Sequence, residues 1–255
     1  MRTDFRQGDT HRPRRIREPL HYDHHRRLVA AHLLRRFAGA VRDCCLIYII
    51  IKTERGINMN IKKELEAKVG IANDIHLNNI EIDPFTIKAL MINEVVPFDP
   101  LQDFYGAPNA DYLKTTIPLF QGTGAEVNSI QDILQMGIYI TNAVKTPKTA
   151  YTIEKNNIEN SLSYLETELS LFSNVKVIML MGDVAKKAFN MITKKETKKN
   201  VVPAISTYKL RHSEIYYNGI RVMPSYIMTG GNILIEKSKV SMATEDIATM
   251  LEIIK

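Results

Sequence analysis

The chain has 255 residues, 45% of them apolar, which is enough for one or two domains with a proper core. Its formal net charge is +6, but residues 1–58 hold 13 basic against 6 acidic side chains, whereas residues 59–255 hold 21 against 22. The body is close to neutral, so overall basicity is excluded as an argument that the folded part grips phosphate. Cys44 and Cys45 are adjacent, and adjacent cysteines rarely bridge each other. The body carries no cysteine, which excludes a thiolate metal site there and suits a reducing, cytoplasmic setting.

Residues 1–58 are rich in Arg and hold five of the seven histidines. Three readings compete for them: a basic arm for nucleic acid, a targeting segment built on the Arg-flanked run 28–41, or non-native sequence ahead of a true start at or near Met59. The abrupt change from Arg-rich to Lys-, Ile- and Asn-rich sequence favours the third. It predicts a poorly ordered leader apart from a helix over 28–42. The apolar run CCLIYIII is too short to span a bilayer, so no membrane partner is expected.

From Met59 the pattern is regular and predicts one α/β domain over 59–255. Asn60 is placed to cap a helix over 61–73. Residues 87–95, IKALMINEV, read as a buried strand of a parallel sheet, closing on Asn93 and Glu94. The stretch to about residue 128, with GAP and GTG turns, reads as a long irregular loop. Ser129, with Asp132 three residues on, forms an acidic capping box for a helix over 130–137. Further strands are expected at 138–144 and 175–182, with helices over 152–172 and 183–195, and the charged run 194–200 reads as a solvated turn. Tyr217-Asn218-Gly219 signals a hairpin between two strand-like runs, and a last helix covers 243–255. Alternating strands and helices predict three layers, α/β/α, around a central, mainly parallel four-stranded sheet.

Ligands of such sheets bind beyond the carboxyl ends of the strands. The first strand delivers Asn93 and Glu94 there, the second Thr141, Asn142 and Lys145, the third Gly182 and Asp183, and the last Ser225, Tyr226 and the loop MTGGN. Glu94 can hold a water. The planar amide of Asn142 can both donate and accept, which matches the imide edge of a pyrimidine. Phe104 and Tyr105 put two rings within reach of a flat base. The expectation is that Glu94 and Asn142 face one slot shaped for a single planar ring. Each residue also has a plainer reading: a strand-capping Glu, a buried amide, core rings, surface lysines at Lys145 and Lys148, and a core methionine at Met228.

In this order and spacing, MINEVVPFDPLQDFYG, GIYITNAVKTP, NVKVIMLMGDVAKKAF and NGIRVMPSY resemble the uracil-DNA glycosylase superfamily over about residues 87–255. The branch most similar is the thermophile type that carries an iron–sulfur cluster. The resemblance implies that Glu94 is the acidic residue that orients or activates the attacking water. It implies that Phe104, or Tyr105 in the alternative register, stacks on the extruded base, and that Asn142 reads the uracil edge. MPSYIMTGGN matches a second motif followed by a loop that wedges into the duplex, which makes Met228 the wedge candidate. Lys145, Lys148 and the N–H groups of Gly230 and Gly231 are then the phosphate contacts.

The departures are specific. Asn93 replaces the Gly before the motif Glu. Thr146 stands at one cluster cysteine and Ser161 or a neighbour at another, so no cofactor and no metal are expected. Ile227 stands where the motif His, which stabilises charge on the departing base, belongs. His212, Thr229, the Gly230 and Gly231 N–H groups and Lys145 are the possible substitutes. The implied activity is DNA repair by hydrolysis of the N-glycosidic bond of a flipped-out uracil or related base in single- or double-stranded DNA, by a monomer. The alternative is a catalytically weak or inactive base-binding member of the same fold.

Overall fold

The computed structural model describes residues 58–150 and 152–255. The expectations for residues 1–57 lie outside the described residues. A short antiparallel pair, β1 (Met59–Asn60) and β2 (Glu81–Ile82), brackets helix α1 (Ile61–Val69), which Asn60 caps by accepting from the Lys63 N–H at 3.0 Å. The main sheet then follows: β3 (Ala89–Val95), β4 (Ile138–Val144), β5 (Val177–Met181), β6 (Ile215–Tyr217) and β7 (Ile220–Ser225), in spatial order β4-β3-β5-β7-β6. Pairs β3/β4, β3/β5 and β5/β7 are parallel. The three layers and the mainly parallel sheet stand as expected. The fifth strand is β6, the antiparallel outer arm of the predicted hairpin, whose turn residues Asn218 and Gly219 have φ of 49° and 81°.

The helices between the strands are α2 (Asp111–Gln121), α3 (Ile130–Gln135), α4 (Lys155–Ser170), α5 (Asp183–Thr197) and α6 (Thr207–Leu210), followed by α7 (Asn232–Ile235) and α8 (Lys237–Ile254). Ser129 and Asp132 make the predicted capping box of α3. Helix α2 corrects the expectation of a structureless loop to residue 128. Leu113, Thr116, Leu119 and Phe120 form its buried face, and Pro118 is tolerated near its end.

Side-chain alternation splits the sheet cleanly. Leu90, Ile92, Tyr139, Ile178 and Leu180 pack toward α4 and α5, in one core with Ile158, Leu165, Ala185 and Phe189. Ala89, Met91, Ile138, Ile140 and Met179 pack on the other face with Leu113, Phe120, Ile247 and Met250 of α2 and α8. The chain goes from β3 to β4 on one side, then crosses to β5 on the other side of β3. The topological switch point therefore lies between the carboxyl ends of β3 and β5. Among the described residues, no helix is long and apolar enough to cross a membrane.

Candidate active site

Glu94 is the next-to-last residue of β3, at this switch point. Its Oε1 accepts from the Val184 N–H at 2.9 Å, in the first turn of α5. Gly182 makes the approach possible, because a Cβ there would lie 2.4 Å from Glu94 Oε1 and 2.6 Å from Ile227 Cγ1, and its φ is +96°. Burial raises the Glu94 pKa above its ordinary value; the Val184 N–H opposes the shift and nearby Asp183 adds to it. The carboxylate opens into a cavity of about 570 Å³ walled by Asp183, Thr207, Tyr208, Tyr226, Ile227 and Thr229.

Asn142 is elsewhere. It is the register partner of Asn93, so the two amides share the α2 face, while Glu94, one residue on from Asn93, turns to the α5 face. Asn142 is buried, its Nδ2 donating to Asp103 Oδ2 at 2.7 Å and its Oδ1 accepting from Asn93 Nδ2 at 2.8 Å. The slot expected between Glu94 and Asn142 is therefore not formed: strand alternation separates them, and Asp103 takes up the amide edge. Burial pushes the Asp103 carboxyl up to about 6, although the Asn142 amide and the Phe104 N–H hold it down. Thr229 joins the two regions, since it lines the Glu94 cavity and donates to Asn93 Oδ1 at 3.2 Å.

Phe104 is 1% exposed and tilts against Tyr112 with centroids 5.3 Å apart. Tyr105 stacks on Tyr139 at 5.8 Å, and its hydroxyl accepts from the Ile140 N–H. Both rings take the core alternative. Met228 is fully buried in the core of the α2 face, so the structure gives the core methionine rather than the wedge. Lys145 is also buried: its Nζ donates to Thr141 Oγ1 at 2.6 Å and pairs with Glu168, which also takes the Tyr139 hydroxyl at 2.6 Å. It is a structural ion pair and not a phosphate contact, because nothing in that network faces solvent. Gly230 and Gly231 lie in open space, where a Cβ would meet nothing within 4 Å. His212 is exposed and outside the cavity wall.

Thr146 and Ser161, which the resemblance set against cluster cysteines (Ser161 or a neighbour for the second), are hydroxyl residues. Ser161 Oγ accepts from the Lys145 N–H at 2.9 Å and donates to Asn157 O, while Thr146 Oγ1 is buried without a partner among the described residues. Hydroxyl side chains at these positions do not fit an iron–sulfur cluster. Asp103, which sequence reasoning passed over, is the residue that decides the environment of Asn142. Its only local signal was its place beside Phe104.

The model of the uracil DNA glycosylase superfamily matches residues 90–230. The chain belongs to this superfamily. The match runs from Leu90 in β3 through β4, β5 and β7 to Gly230, and so includes Glu94, Asn142 and the part of the Glu94 cavity wall up to Thr229. A search of curated proteins finds no match to the chain.

Proposed function

We propose that this glycosylase-superfamily protein excises uracil or a related damaged base from DNA by hydrolysing its N-glycosidic bond. The observation that carries the reading is Glu94, a half-buried carboxylate held by an N–H at the start of α5 and opening into a cavity at the sheet's switch point. The target nucleotide rotates out of the stack, because its C1′ is out of reach inside a duplex. Glu94 orients a water toward C1′. The C1′–N bond breaks with its electron pair leaving on the base, the water oxygen bonds to C1′, and the carboxylate takes the water's proton. The products are an abasic site and a free base. Thr207, Tyr208, Tyr226 and Thr229 are among the polar side chains on the cavity wall that a base would meet.

A second reading, a base-binding protein without useful turnover, is favoured by two observations. Ile227, on the cavity wall, stands where the resemblance puts the motif His, and both ends of the Asn142 amide are occupied within the fold. One assay separates the readings. Uracil-containing single- and double-stranded oligonucleotides are incubated with the wild type, Glu94→Ala and Asn142→Ala, and abasic product is measured beside binding. Product that needs Glu94 supports hydrolysis. Binding without product supports the second reading.

A further inference from the structure

The Glu94 cavity does not end at its own walls. Asp183 and Ser206 also line a second groove, of about 530 Å³, between α5 and the segment 200–206. Three lysines of α5 face it: Lys186, Lys187 and Lys194. Lys186 is buried and committed, with Nζ 2.6 Å from Asp183 Oδ1 and 3.0 Å from Thr207 Oγ1, so it cancels the acid at the junction of the two spaces. Lys187 and Lys194 are exposed, and their side chains make no ion pair or hydrogen bond among the described residues. Seven residues apart, they stand on one face of the helix, about 10 Å along its axis. Apolar surface is interleaved with the charge. Ile205 in the groove is 50% exposed, and Tyr208 at the mouth of the Glu94 cavity is 68% exposed.

In a body whose charges nearly balance, two unpaired lysines in line beside exposed apolar and aromatic side chains form a local site for a polyanion that also carries flat rings. We propose that this groove is the track of a single DNA strand, the one whose neighbouring nucleotide enters the Glu94 cavity. Lys187 and Lys194 meet phosphates, and Ile205 and Tyr208 meet sugar or base faces. Single-strand binding typically combines such a basic groove with stacking side chains. The proposal rests on the glycosylase reading for what enters the cavity, but the groove can be tested apart from it.

The test is fluorescence anisotropy with the full chain and labelled oligonucleotides that contain no uracil, so that turnover plays no part. Lys187→Ala/Lys194→Ala is compared with Lys62→Ala/Lys68→Ala, which removes the same charge from α1. The groove predicts that the first pair weakens single-strand binding about tenfold or more, and that it lowers the slope of log affinity against log salt by about 1.4, the contribution of two single-strand phosphates. The α1 pair is expected to bind like the wild type. Equal behaviour of the two double variants, or binding of duplex but not of single strand, overturns the proposal. Groove-dependent binding with no cleavage of a uracil oligonucleotide would overturn only the glycosylase reading; cleavage with groove-independent binding would overturn only the groove.

Discussion

Asn93 and Asn142 face each other across β3 and β4, their amides joined at 2.8 Å, and this pairing turns Glu94 toward α5 and away from Asn142. The carboxylate and the amide therefore serve different parts of the molecule. Glu94 serves the open cavity, and Asn142 serves a closed polar cluster with Asp103.

The first prediction concerns pH. Burial raises the Glu94 pKa, and the carboxylate is the form that can accept a proton from water. Activity then falls as pH falls through that raised value, so the acid limb of a kcat/KM profile lies above the ordinary glutamate value of 4.5. A limb at or below 4.5 contradicts the role.

Asp103 gives a stability test with a definite sign. Its folded pKa, about 6, exceeds its ordinary 3.8, so folding favours the protonated form. The associated stability is present below about pH 4 and is lost as pH rises through about 6, an effect on the order of 3 kcal/mol. Relative to the wild type, Asp103→Asn is expected to gain stability between pH 4 and pH 7 in urea denaturation. A gap between the two proteins that does not change with pH removes this assignment.

Gly182→Ala places a methyl group 2.4 Å from Glu94 Oε1 at a φ of +96°. The expected cost is about 1–2 kcal/mol from the backbone alone, with displacement of the carboxylate as well. Thermal unfolding and cleavage should both suffer. A variant as stable and active as the wild type would falsify the close approach.

The buried pair Lys145–Glu168 is structural. Glu168→Ala strands an ammonium among buried groups and is expected to cost about 3–5 kcal/mol, whereas Lys145→Met/Glu168→Leu recovers most of that loss. Equal damage in both variants, measured by chemical denaturation, would argue for a role beyond the pair.

Ile227 is 39% exposed on the cavity wall. If a missing charge stabiliser limits the reaction, Ile227→His should raise cleavage of a uracil oligonucleotide by about tenfold or more, up to the 10²–10³ typical of such groups. An unchanged rate places the stabiliser elsewhere in the cavity.

The layers and the parallel strands were legible because each strand is a continuous apolar run bounded by polar turns, as in residues 138–144. The capping box and the hairpin were legible because their chemistry is local. Helix α2 was not, since Pro118 and the flanking GAP and GTG turns mask the spacing of Leu113, Thr116 and Phe120. The separation of Glu94 from Asn142 was hidden for a different reason. It depends on the register of β3 against β4, a relation between residues 49 positions apart, and a one-residue shift would reverse it. Likewise, nothing local announces that Lys145 turns inward, because its partner Glu168 lies on another element.

The most direct test of the account is the single-turnover rate of abasic-site formation on a uracil-containing single-stranded oligonucleotide, wild type against Glu94→Gln, with both shown to be folded. The account predicts measurable product from the wild type and a rate at least about 10²-fold lower for the variant. No product from the folded wild type, or equal rates from the two proteins, would contradict it.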